Sequence, residues 1–207
     1  MEFDQSLFAD SLYIGERNKL KKWPESYKYF PDLERSIDGL LIRPIRRTDS
    51  EEIRNWRNNQ MKVLRQKELL TQPEQGLYFD EVVKGSLTAK RPDQILLGME
   101  DQNNLVAYGG LVHISWEDQR AELSFLTNGL LNDELYERYF AIFINYVVSI
   151  AKNDFGLHKI ITETYAFRRH HISILEKNGL KTEGKLADHI RMADGFYDSI
   201  LHGVILD

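Results

Sequence analysis

The side chains of this chain best suited to chemistry gather between His158 and His202. Glu163 stands in ITETY, and His170, Ser173 and Glu176 follow within RRHHISILEK. Two carboxylates, an imidazole and a hydroxyl at the end of a strand and on the helix after it can move protons or hold a cation. A further carboxylate, Glu122, stands in AELSF. Each also has a plainer reading: a helix-start histidine can be a neutral cap, a helical serine can bond back to the preceding turn, and a strand glutamate can face solvent or a cross-strand cation. His113, His189 and His202 fall on expected strands and can line a pocket. No H-x-x-x-H spacing or acidic cluster accompanies them, so no metal site is expected.

The elements that must position these groups are readable from periodicity. HKIITETY reads as a strand, and a short helix from Arg168 to Lys177 stops at Asn178 and Gly179. GKLADHIRM and GFYDSILHGVIL then form a hairpin joined at Ala193, Asp194 and Gly195. Upstream, Leu135, Tyr139, Ile142, Phe143, Tyr146, Val147 and Ile150 repeat with helical period, making the longest helix. ILLGMED, LVAYGGLVHISW and RAELSFLT read as a three-strand meander in which Gly109 and Gly110 suggest a bulge or a close backbone approach. LLIRPIR is a first strand, and Thr48 with Glu51 suggests a capping box opening the helix SEEIRNWRNN. Pro73 can start a second helix, which Gly85 is expected to end. Residues 1–36 follow neither period. Phe3, Phe8, Tyr13, Trp23, Tyr27, Tyr29 and Phe30 suggest an arm that packs its aromatics on a domain of residues 37–207, or else a lid or dimer contact.

Composition narrows the function classes. A chain of 207 residues with 42% hydrophobic content can bury one sizeable core. It has no cysteine, so neither disulfides nor thiolate metal sites are available. The acidic start MEFDQSLFAD does not read as a signal peptide and no apolar run is long enough for a membrane, so a cytoplasmic protein without membrane contact is expected. A net charge of −5 argues against nucleic acid as partner while leaving room for a local grip on a small anion. There is no G-x-S-x-G elbow, P-loop or dinucleotide fingerprint.

The order of elements, with a long helix crossing from the meander's last strand to a parallel strand, would leave a slot where two parallel strands diverge. Together with IRPIRRTDSEEIRNWRNN, AELSFL, HHISILEKNGLKTEGKL and DGFYDSILHGVI, it resembles the GNAT superfamily of N-acetyltransferases over about residues 39–206. The likeness is greatest to the branch of ribosomal-protein-alanine and amino-sugar acetyltransferases. The resemblance implies an α/β fold with a mixed, mostly antiparallel central sheet flanked by helices, its fourth and fifth strands parallel and splayed. In the family's N-x-x-S-x-x-x-L-E-K-x-G-F pattern, His170 replaces Asn, Ser173, Glu176, Lys177 and Gly179 match, and Leu180 replaces Phe, with a shorter spacing between Ser173 and the Glu. The family's glycine-rich pyrophosphate loop corresponds to NDELYERYFAIF, which is glycine-free and acidic.

The implied activity is transfer of an acetyl group from acetyl-CoA to a primary amine by direct attack. Such a reaction needs a base for the ammonium, donors for the carbonyl oxygen and an acid for the leaving thiolate. Glu122 is the expected base and Ser173 the expected acid or sulfur partner, with Glu163 and His170 beside them. Backbone groups at Leu126 and Thr127 are expected along the pantetheine. Arg138 with Tyr139 is the expected substitute for the missing phosphate loop. Acetyl-CoA requires that Tyr136 and Phe140 leave the slot open. The acceptor is expected to be a small molecule, an amino sugar in nucleotide-linked form, and a homodimer is compatible with the chain. Two alternatives stand: a non-catalytic binding or assembly module that has lost acetyl-CoA, and a protein N-terminal acetyltransferase.

Overall fold

The computed structural model describes residues 22–64 and 66–206. Eight strands form one sheet: β1 Arg35–Ile37, β2 Leu40–Pro44, β3 Ile95–Asp101, β4 Asn104–Ser115, β5 Arg120–Thr127, β6 Lys159–Tyr165, β7 Lys181–Met192 and β8 Gly195–Ile205. Their spatial order is β1-β2-β3-β4-β5-β6-β8-β7, antiparallel throughout except for the parallel β5 and β6. The helices are α1 Ser50–Asn59, α2 Gln72–Tyr78, α3 Lys84–Thr88, α4 Asp133–Asn153 and α5 Arg169–Lys177. This is the expected mixed sheet flanked by helices.

Period-two alternation sends neighbouring residues to opposite faces. Leu97, Ala107, Ala121 and Ile160 pack with Phe140, Phe143, Val147 and Ile150 of α4. Leu96, Tyr108 and Leu126 pack on the other face with Ile53, Trp56, Phe79 and Val83. The sheet is therefore covered by α4 and α5 on one side and by α1 to α3 on the other.

Three local features differ from the sequence reading. Asp38 and Gly39, both at positive φ, make a tight turn that adds β1 to the sheet. At the start of α1 the Thr48 and Glu51 capping box does not form. Asp49 instead accepts from the backbone N–H of Arg46 at 2.7 Å and from the Arg43 guanidinium at 2.7 and 2.9 Å, while Glu51 pairs with Arg54. Arg43 also reaches Glu100 at 2.7 Å, so a buried guanidinium ties β2 to β3 and to α1. Finally, Gly85 does not end the second helix. A π turn at Phe79–Val83 carries the chain from α2 into α3, which runs on to Thr88.

Gly109 and Gly110 mark close backbone approaches. A Cβ on Gly109 would collide with the backbone carbonyl of Ser124, and one on Gly110, at φ 131°, with that of Ile95. Of the aromatic N-terminal segment, Phe3, Phe8 and Tyr13 lie outside the described residues. Trp23 stacks on Phe79, Phe30 meets Phe155 edge-on at 4.7 Å, and the Tyr27 hydroxyl accepts from the Leu96 N–H at 2.6 Å. Among the described residues no helix is long and apolar enough to cross a membrane.

Candidate active site

β5 and β6 run side by side for three registered pairs, ending at Glu122 with Ile161, and then part. β6 turns to pair with β8 along its whole length, while β5 continues to Thr127 against β4. Sheet twist accumulates across such a weakly held parallel pair, and nothing rejoins the strands beyond it. Aromatic rings fill the base of the gap: Phe125 meets Phe140 perpendicularly at 5.1 Å, and Phe140 meets the His171 ring at 5.4 Å.

A cavity of about 880 Å³ runs through this gap. Its walls come from both faces of the sheet. Val112, Glu122 and Glu163 belong to the side of α1 to α3, whereas Leu123, Thr162, Phe140 and His171 belong to the side of α4 and α5. The π turn and its flanks add Tyr78, Glu81 and Val82 to the first mouth.

Each glutamate has a histidine delivered by a strand irregularity. On β4 the register with β5 slips after Val112, and His113 adopts φ 50°. That bulge turns its ring onto the face of Glu122, with Nδ1 2.8 Å from Oε2. On β7, Ala187, Asp188 and His189 stand opposite Asp198 alone, and His189 Nε2 lies 3.7 Å from Glu163 Oε1. Both carboxylates are largely buried, their side chains 20% and 15% exposed.

A second cavity of about 360 Å³ opens at the start of α4, lined by Thr127, Gly129 and Asp133 and by the run Arg168, Arg169, His170, His171. The two cavities share Arg168 and His171. Between them the Tyr136 hydroxyl and His171 Nδ1 share a 2.8 Å hydrogen bond. Burial, reinforced by the charge of Arg168, holds the His171 imidazole down at about 3, so it is neutral near pH 7. Burial pushes the Tyr136 phenol up, an effect that Arg168 partly offsets.

The structure brings Glu122 and Glu163 together in one cavity. It does not bring His170 and Ser173 there: His170 faces the start of α4, 3.6 Å from Asp133, and Ser173 lies exposed on α5. Glu176 points away, toward Thr182 at 3.2 Å and the buried His202 at 3.7 Å. Leu126 is buried, and the Thr127 carbonyl accepts from the Gln60 amide at 2.7 Å while Thr127 lines the smaller cavity. Arg138 and Tyr139 lie on the far side of α4, where they bond the Asp38 carbonyl at 3.0 Å and the Asp101 carboxylate at 2.8 Å. Helical geometry explains this for Arg138, which two positions on is turned away from Tyr136, the residue that faces the gap, whereas Tyr139, three positions on, is drawn to the Asp101 carboxylate of β3. His171, which the sequence offers with His170 as a proton shuttle or a neutral cap, lines both cavities, and Arg168 and Arg169 of the same RRHH run after the strand end line the smaller one. Among the described residues no cluster of three or more His, Asp or Glu could hold a metal ion.

The donor set fits a phosphorylated, amide-bearing cofactor. Arg168 and Arg169 line the cavity at the N-terminus of a 21-residue helix, where helical N–H groups and dipole favour anions. The β5 edge from Leu123 to Thr127 has no β6 partner in register, so it can hydrogen-bond an extended amide chain. Phe140 lines the larger cavity and Tyr136 the smaller, and both rings meet His171, which lines both.

A family model described as an acetyltransferase (GNAT) domain matches residues 42–201. No curated protein matches the sequence. Among solved structures, the chain is similar to the spermidine N-acetyltransferase of Vibrio cholerae in complex with CoA and spermine, with TM-score 0.72 and 18% identity over 82% of this chain and 97% of that one. A chimera of the Vibrio cholerae enzyme and hSSAT gives TM-score 0.71 and 17% identity over 82% and 96% of the two chains. A dodecameric structure of the Vibrio cholerae enzyme in an intermediate state gives 0.67 and 18% over 82% and 95%. At these identities the likeness concerns the fold.

Proposed function

Because the chain belongs to the GNAT acetyltransferase family, we propose that its acceptor is a primary amine of a small molecule, bound where Glu122 and Glu163 share the larger cavity. The protein is an acyltransferase, and acetyl-CoA is its acetyl donor. The observation that carries the acceptor reading is the pair of largely buried carboxylates on one face of the splayed strands, with Arg168 and Arg169 at the other cavity. Cationic amines are held at such a mouth by charge and hydrogen bonding.

When bound, acetyl-CoA supplies an activated acyl carbon. Arg168 and Arg169 hold its phosphates, and the β5 edge orients its amide arm. Glu122 Oε2 takes the proton of the acceptor ammonium, and the His113 ring holds that carboxylate in place. Glu163 keeps the amine in the gap. Leu123, Phe125 and Phe140 exclude water from it.

The finer acceptor reading is an amino sugar, as in the branch that the sequence resembles. The spermidine enzymes among the similar structures favour a polyamine as second reading, and Glu81 and Asp93 on the same cavity add acidic groups for it. In the same reading the enzyme is cytoplasmic, with residues 1–36 as an arm on a catalytic domain of residues 37–207. Release of free thiol from acetyl-CoA, measured against free and nucleotide-linked amino sugars, spermidine and a short peptide, tests the acceptor readings. Activity only on the peptide overturns the small-molecule reading.

A further inference from the structure

Next to the glutamate mouth lies a cavity of about 840 Å³ between the turn after α1 and the β7 to β8 hairpin. It shares Leu64 and Tyr165 with the larger cavity, and His189, 3.7 Å from Glu163, stands where the two meet. Its charge is opposite to that of its neighbour. Lys62, Lys67 and Arg191 line it, and among the described residues none of the three has a carboxylate partner. Its one acid, Asp194, accepts from the Tyr197 hydroxyl at 2.8 Å. In a chain of net charge −5, three unpaired cations converging from two separate segments make a local positive field beside a negative one.

Like charges brought together without partners repel, and side chains that long are free to spread apart on a surface. Lining a concave site from its two sides, they suit an anion held between them, with Arg able to grip phosphate or carboxylate through two N–H groups and Lys adding point charge. The floor includes Tyr165 and Met192, which suit a ring or an apolar body between the two ends. A spermidine-like acceptor has nothing to offer these cations.

We infer that this cavity is a subsite for an anionic group, phosphate or carboxylate, carried by the same acceptor whose amine reaches Glu122 and Glu163. This rests on the acceptor reading given above. The acceptor is then an amine at one end and an anion at the other, spanning both cavities past Tyr165.

The full chain, saturated with coenzyme A, can be titrated calorimetrically with uridine diphosphate as the phosphate source and glutarate as the carboxylate source. At least one is expected to bind, more weakly as salt rises. In the Lys62→Gln/Lys67→Gln/Arg191→Gln variant the affinity should fall tenfold or more, with an unchanged thermal midpoint showing that the fold survives. Binding of neither anion, or equal binding by the folded variant, overturns the subsite. If the variant unfolds, Arg191→Gln alone is expected to lose threefold or more, and an unchanged affinity again overturns it. Failure of the acceptor reading shows separately, as absence of thiol release with every amine while the anion still binds.

Discussion

The Tyr136 hydroxyl lies 2.8 Å from His171 Nδ1, and His171, with Arg168, lines both the larger and the smaller cavity. In the proposed reaction the cofactor arm passes between the two cavities and displaces this bond, at a net cost of about 1 kcal/mol. Removing the hydroxyl removes that cost, so Tyr136→Phe should bind coenzyme A roughly fivefold more tightly. Calorimetric titration checks this, and weaker binding would mean that the phenol itself contacts the cofactor.

His171 also makes stability depend on pH. Its folded value of about 3 lies below the ordinary 6.5, so the unfolded chain binds more protons between these values. The stability tied to the neutral imidazole is complete above pH 6.5 and is lost as pH falls toward 3, at up to about 1.4 kcal/mol per pH unit. Urea unfolding followed from pH 7 to 4 should show this slope in the native protein and a shallower one in His171→Gln. Equal slopes would show that other groups control acid sensitivity.

Glu122→Gln should lower kcat for acetyl transfer by roughly 10²-fold or more, the usual span for a lost general base. Coenzyme A affinity should stay within about twofold, because the side chain faces the other mouth. Glu163→Gln should act chiefly on the KM for the amine. Steady-state kinetics on the two variants with one acceptor separate base from anchor.

Arg168→Gln/Arg169→Gln should weaken coenzyme A at least tenfold and flatten the salt dependence of binding. Dephospho-coenzyme A, which lacks the ribose phosphate but keeps the pyrophosphate, should lose less in wild type than coenzyme A loses through the double substitution. A variant that binds as tightly as wild type would remove the two arginines from the cofactor site.

Two substitutions test the scaffold alone. Arg43→Ala leaves Asp49 and Glu100 without their buried partner and should cost about 3 to 5 kcal/mol in denaturant unfolding. Gly109→Ala forces a methyl into the Ser124 carbonyl, so it should cost about 2 kcal/mol or more and disturb the register of β4 with β5.

Much of the scaffold was legible along the chain because its signals are local. The apolar repeat from Leu135 to Ile150 requires one long helix with one buried face, and strand alternation sends Glu122 and Glu163 to the face opposite α4. Gly179, at φ 90°, ends α5 where its backbone freedom is needed. Some local signals were overridden by distant partners. Arg43 took Asp49 for a tertiary network, and the Thr48 and Glu51 box did not form.

The site itself divides along the same line. Residue types and strand periodicity determined that two glutamates would flank a divergence of parallel strands, since a period of two leaves their faces no choice. Which groups meet them was decided only by tertiary structure, because it depends on bulges and helix rotation that no single segment encodes. The slips at His113 and His189 bring imidazoles to the two carboxylates. The packing of α4 sends Tyr136 to His171 while Asp38 and Asp101 hold Arg138 and Tyr139, leaving Arg168 and Arg169 to line the cavity at the helix start.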